Sequence, residues 1–132
     1  VVPEVTESTE LLSLVRAAAV AADDKKALDT IIIDVGEVLS VSDFFVITSG
    51  STARQVGAIV DSVEAGVKAI GGPGPVRVEG LDQREWVLLD YGAFVVHVFA
   101  QAQRDFYQLE RLWSDRPRVE WDPQLPSVVK RQ

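Results

Sequence analysis

Two periods of apolar residues alternate along this chain. Leu11, Leu12, Val15, Ala18, Ala19 and Ala22 fall at helical spacing. They predict a helix from a Ser8 or Thr9 cap to about Asp24, behind a frayed lead-in over residues 1–7. Val56, Ile59, Val60, Val63, Val67 and Ile70 repeat the pattern from Thr52 onward, until Gly71-Gly72-Pro73-Gly74-Pro75 stops it. Phe106, Leu109, Leu112 and Trp113 predict one side of a last helix, from about Arg104 to Trp113. Between these stretches the period shortens. Thr30 to Val35, Phe44 to Thr48, Val76 to Glu79, Trp86 to Asp90 and Phe94 to Phe99 read as strands, rich in β-branched and aromatic residues. Val38 to Ser42 reads as a short extended piece. The tight link Tyr91-Gly92-Ala93 predicts an antiparallel hairpin for the last two strands.

The order of elements predicts an α/β domain whose mixed five-stranded sheet is flanked by helices. The domain is expected over residues 8–114, with an irregular tail over 115–132 carrying Pro117, Pro123 and Pro126. A right-handed crossover is expected from Phe44–Thr48 through the long helix to Val76–Glu79, if those strands are parallel neighbours.

Composition narrows the class. The 132 residues are 47% hydrophobic, which suits one packed domain. There is no cysteine, so disulfides, thiolate metal sites and cysteine nucleophiles are excluded. No apolar run approaches the ~20 residues of a membrane helix. Glu4, Glu7 and Glu10 precede any apolar stretch, unlike a signal peptide, so a cytoplasmic location is expected. The net charge is −7, with 13 basic against 20 acidic residues. Nucleic-acid binding relies on Lys and Arg neutralising phosphates, so little direct RNA contact is expected. A basic protein surface fits the charge better.

One stretch hints at chemistry. In "SDFFVITSGSTARQV" a strand delivers Gly50-Ser51 to a helix start, where free N–H groups and the helix dipole favour anions. A magnesium-dependent nucleotidyltransferase-like enzyme using that turn is therefore an alternative. Such an enzyme also needs clustered carboxylates for the metal. Asp34, Glu79 and Asp90 stand alone on separate strands, and no Gly-Lys-Ser/Thr phosphate loop occurs. A tight turn with a Ser51 or Thr52 cap is the preferred reading. It implies a nucleotidyltransferase-like core without catalysis: no enzyme, no cofactor, no metal and no catalytic residue. His97, the single histidine, sits in "VVHVF" with no nucleophile nearby in sequence, and reads as a sheet or interface histidine.

The hairpin is apolar on both faces. Trp86, Leu88 and Asp90 point one way and Val87, Leu89 and Tyr91 the other. One face packs on the helices. The second needs another helix or a partner protein, and Trp and Tyr are frequent interface anchors.

Three blocks in order, "SDFFVITSGSTARQV", "VEG" followed by "WVLLDYGAFVVHVF", and "RDFYQLERLW", resemble the ribosomal silencing factor family, RsfS or Iojap. The resemblance runs from about Thr30 to Trp113. It implies a factor that binds a ribosomal protein of the large subunit, the fourteenth of the L series, and blocks subunit joining, repressing translation when nutrients are short. Carried over by motif, it places Trp86, Leu88, Asp90, Tyr91 and His97 at the contact, with Arg77 and Glu79 as neighbours. It also implies a homodimer when the factor is free.

Overall fold

The long apolar stripes become two helices lying side by side on one face of a sheet. The computed structural model describes residues 2–121, with side chains described from residue 10 onward. Helix α1 spans Val2–Asp24 and α2 spans Ala53–Ala69. Their inward stripes, Val15, Ala18, Ala19 and Ala22 from α1 and Val56, Ile59, Val60, Val63 and Val67 from α2, are buried. The helices approach closely because small residues meet: a Cβ on Gly66 would press on the Ala21 methyl. Ser62 Oγ also donates to the Ala21 carbonyl at 2.8 Å. Helix α1 starts ahead of Ser8 and Thr9, so neither caps it, and the frayed lead-in is helical backbone from Val2. Ile70, expected on the stripe of α2, is its C-cap and is exposed.

The sheet has six strands: β1 Leu28–Asp34, β2 Phe44–Gly50, β3 Arg77–Glu79, β4 Trp86–Asp90, β5 Phe94–Ala100 and β6 Arg118–Val119. Their order is β3-β4-β5-β2-β1-β6, and only β2 and β5 run parallel. Three expectations change. The sheet is six-stranded, not five-stranded, because Arg118–Val119 folds back along β1 instead of continuing an irregular tail; residues 122–132, with Pro123 and Pro126, lie outside the described residues. Val38 to Ser42 is turn and bend, not strand. The strand after α2 is not the parallel neighbour of β2. It lies at the far edge, and β5 takes the place beside β2. The hairpin keeps its expected antiparallel form, with Trp86 opposite Phe99, Leu88 opposite His97 and Asp90 opposite Val95.

The opposite face of the sheet has a smaller cover. Helix α3 is short, Gln101–Tyr107, and Gln108 then adopts a left-handed conformation at φ 49°. A 3-10 helix follows over Leu109–Trp113. This break splits the single apolar side expected for one helix. Leu109 and Trp113 turn onto the sheet with Ile33, Val35, Ile47 and Phe99, whereas Phe106 and Leu112 are left 80% and 75% exposed.

A buried arginine anchors this cover. The Arg104 side chain is 6% exposed; its Nε pairs with Glu110 at 3.3 Å, and its Nη1 donates to the Leu28 carbonyl and Ser49 Oγ at 3.2 and 3.3 Å. The Leu28 carbonyl is available because β1 has an irregularity between Leu28 and Ile31, where Asp29 has φ 49°. Ser49 Oγ donates to the same carbonyl at 3.2 Å. One guanidinium thus joins β1, β2, α3 and the 3-10 helix. Arg104→Met should destabilise the fold by roughly 3 kcal/mol, because it leaves the Glu110 carboxylate without its cation and removes the guanidinium links to Leu28 and Ser49. Urea unfolding followed by far-UV circular dichroism measures this.

Candidate functional site

The Gly50-Ser51 turn is closed by its own chain. Thr52 is the N-cap of α2, its Oγ1 accepting from Gln55 N at 3.0 Å. Gln55 Oε1 reaches back to accept from Ser51 N at 2.6 Å, a close relative of the capping box. The same side chain donates through Nε2 to the Lys25 and Lys26 carbonyls at 3.1 and 3.0 Å, tying the turn to the α1–β1 link. A backbone donor at this helix start is thus taken by the chain itself. The three acids named above, Asp34, Glu79 and Asp90, also have local partners, Glu79 through Arg77. Asp34 Oδ1 accepts from Gly36 N, and Asp90 pairs with Arg77. Among the described residues no three His, Cys, Asp or Glu side chains gather as a metal site would require.

The sheet face opposite α1 and α2 is the stronger candidate. Strand pairing brings Arg77 beside Asp90, Glu79 beside Leu88 and Leu88 beside His97, so residues from β3, β4 and β5 share one surface. The α3 and 3-10 cover stops short of this region. An open groove of about 320 Å³ remains, lined on one side by Leu39, Val41 and Phe45 and on the other by Arg77, Leu88 and Asp90, with Val95 and His97 between. A second depression, bounded by Glu79, Gly80 and Trp86, meets it at Leu88. Among the described residues, a larger hollow between α1 and the end of α2 has Glu10 and Ser13 as its polar side chains.

The rim of the groove is charged and locally satisfied. Arg77 bridges Glu79 at 3.0 Å and Asp90 at 3.4 Å, and Asp90 Oδ1 accepts from Gly92 N at 2.8 Å. Gly92 has φ +84°, the left-handed geometry that the three-residue hairpin link requires. Trp86 stands half-buried at the other end. It packs on Phe99 and Tyr107, with ring centroids 4.7 and 5.0 Å away. Tyr107 meets the exposed Phe106 at 5.0 Å, so the apolar surface continues past Trp86 onto α3. The strand carrying Trp86 is entered through Gly80, at φ +84°, where a Cβ would strike the Trp86 carbonyl oxygen.

The seven residues expected at the contact do not share one setting. Arg77, Glu79, Trp86, Leu88 and Asp90 reach the open surface. His97 forms the floor and is only 5% exposed. Tyr91 is on the wrong face: it is buried in the core beneath α1 and α2 and stacks on Phe94 with the rings 4.6 Å apart. Burial there, with Glu64 nearby, pushes its phenol up to about 12. The alternation that put Val87, Leu89 and Tyr91 together already indicated this side. Sequence reasoning missed Leu39, Val41, Phe45 and Tyr107. Phe45 carried a usable signal, since it alternates with Ile47 along β2, but its place beside His97 depends on the long-range pairing of β2 with β5.

Burial sets the state of His97. It pulls the imidazole down from 6.5 to about 4, so the ring is neutral at pH 7. The Trp86 indole can only donate, and its Nε1 donates to His97 Nδ1 at 3.2 Å. The proton of the neutral ring is therefore on Nε2, which is buried without a partner. The unfolded chain takes up this proton at a higher pH than the folded one. The His97 contribution to stability is hence intact above about pH 6.5 and is lost as pH falls towards 4. Unfolding free energies measured across that window should fall less steeply for His97→Phe than for the wild type.

Comparison with known proteins gives this surface a context. A family profile described as "Ribosomal silencing factor during starvation" matches residues 7–132. "Ribosomal silencing factor RsfS" of Bacillus subtilis is 38% identical over 115 residues, covering 83% of this chain and 92% of that protein. "Mitochondrial assembly of ribosomal large subunit protein 1" of mouse is 32% identical over 108 residues, covering 80% of this chain and 46% of that protein. A crystal structure of a Chromobacterium violaceum protein superimposes with a TM-score of 0.74 at 36% identity, covering 78% of this chain and 85% of the other. With its fold and most of its length matched, this chain belongs to the ribosomal silencing factor (RsfS) family.

Proposed function

We propose that this chain is a ribosomal silencing factor that docks through the open sheet face onto the fourteenth protein of the L series in the large ribosomal subunit. Seated there, its bulk obstructs joining of the small subunit and represses translation under nutrient limitation. The observation that carries this reading is the apolar sheet surface left open beside Trp86 among the described residues, with α1 and α2 packed on the opposite face. Half-buried Trp86 and Leu88 are apolar anchors, and Arg77, Glu79 and Asp90 form a polar rim around them. This is the arrangement of a protein–protein contact, in which a few aromatic or aliphatic anchors carry most of the energy.

Charge supports a protein rather than an RNA partner. The chain carries −7, and Arg77 is already shared between two carboxylates. A basic ribosomal protein is attracted by this field, while phosphates are repelled. The mouse relative's name also points to the large subunit. In this reading the factor acts without chemistry in the cytoplasm, and two free copies pair as a homodimer that covers the same face. The reading uses position and affinity alone, so it does not call on the Gly50-Ser51 turn.

Sedimentation of mixed ribosomal subunits tests it. Adding the protein should reduce joined ribosomes and place the factor in the large-subunit fraction. Trp86→Ala should weaken binding to large subunits by about 2 kcal/mol, roughly thirtyfold, as for loss of an interface anchor. A folded Trp86→Ala protein that sediments with large subunits like the wild type would refute the site.

A further inference from the structure

His97 lies on the floor of the groove with only 5% of its surface exposed, yet it is tied to Trp86, the half-buried aromatic anchor of the adjoining depression. We infer that His97 is a positioning residue: from the floor of the sheet it holds the Trp86 indole in its docking orientation before any partner arrives. The inference rests on the docking reading above and assigns His97 a different part in it.

Three observations carry it. His97 lies diagonally across the strand pair from Trp86, on the same face, since its direct partner is Leu88 and that of Trp86 is Phe99. Its Nδ1 accepts the only hydrogen the indole can donate, at 3.2 Å. Its own ring is held in turn, edge-on to Phe45 with centroids 4.7 Å apart, and Phe45 is braced by Trp113 at 5.5 Å. The indole is thus fixed by one directional bond and by Phe99 and Tyr107 on its sides.

The arrangement leaves a buried cost. Fixing the proton on Nε2 leaves that donor without a partner. A histidine kept only to fill space would be replaced at no loss by an apolar ring, which brings no unmet donor. What the imidazole supplies, and a phenyl ring does not, is an acceptor for Trp86. An anchor whose rotamer is set in advance loses less freedom on binding.

A double-mutant cycle with purified large ribosomal subunits tests this. His97→Phe keeps a ring and removes the acceptor, and should weaken binding about fivefold. Trp86→Phe removes the donor. The double variant should bind no worse than Trp86→Phe alone, because the two positions act through one bond. His97→Asn, whose side-chain oxygen falls near the place of Nδ1, should bind within about twofold of the wild type. Multiplying effects in the double variant, or an Asn variant as weak as the Phe variant, would overturn the inference.

A measurement on the unmodified free protein guards against variants that do not fold. The chain has one histidine, so its ring nitrogens are unambiguous in nuclear magnetic resonance. Nδ1 should be the unprotonated nitrogen and show a 15N–15N coupling across the hydrogen bond to the Trp86 indole. A proton on Nδ1 would overturn the inference without any variant. If the wild type itself fails to associate with large subunits, the docking reading falls and takes this role with it. A failed cycle with normal wild-type binding removes only the role of His97.

Discussion

Among the described residues there is too little helix to cover both faces of the sheet, and most of the architecture follows from that shortage. Two long amphipathic helices take one face completely. The other receives a seven-residue helix and a single 3-10 turn, pinned by the Arg104 guanidinium. That cover reaches β1, β2 and β5 and, through Tyr107, the start of β4 at Trp86, but it leaves β3 and the Leu88–Asp90 end of β4 open. The side chains projecting there were nonetheless apolar enough for a core, since Leu88 and Val95 alternate with fully buried neighbours. Exposure of that region is thus a property of the whole topology, and no single loop creates it.

Arg104 and His97 show two ways of placing a polar group inside such a fold. Arg104 meets three acceptors and so joins elements far apart in sequence. His97 satisfies one nitrogen and leaves the other unmet. The first arrangement is what a structural arginine requires, because an unpaired buried charge is costly. The second is tolerable because the ring stays neutral, and His97 shares it with Tyr91 and Trp113, whose Oη and Nε1 are also buried without a partner.

Much of this was legible in the sequence. Periodicity located both long helices and the five longer strands, and Tyr91-Gly92-Ala93 announced the hairpin. What failed has particular physical causes. The order of strands depends on the pairing of β2 with β5, residues some fifty positions apart in sequence, which no local pattern encodes. The sixth strand is two residues long and held by the carbonyl of Pro117 and the Arg116 side chain, so it has no alternation to display. Phe106 and Leu112 matched a helical stripe because spacing alone does not reveal a left-handed residue such as Gln108. Tyr91 was carried to the contact by its motif, although its alternation with Leu89 placed it on the covered side.

The two outer strands have a further consequence. They are only three and two residues long. Arg77 and Glu79 occupy one border, and the other is closed off just after a proline. A protein that keeps a greasy sheet surface on display risks accreting neighbours strand by strand along its margins. Here the described margins are too brief and too charged to template such growth, and the apolar display is confined to the flat of the sheet.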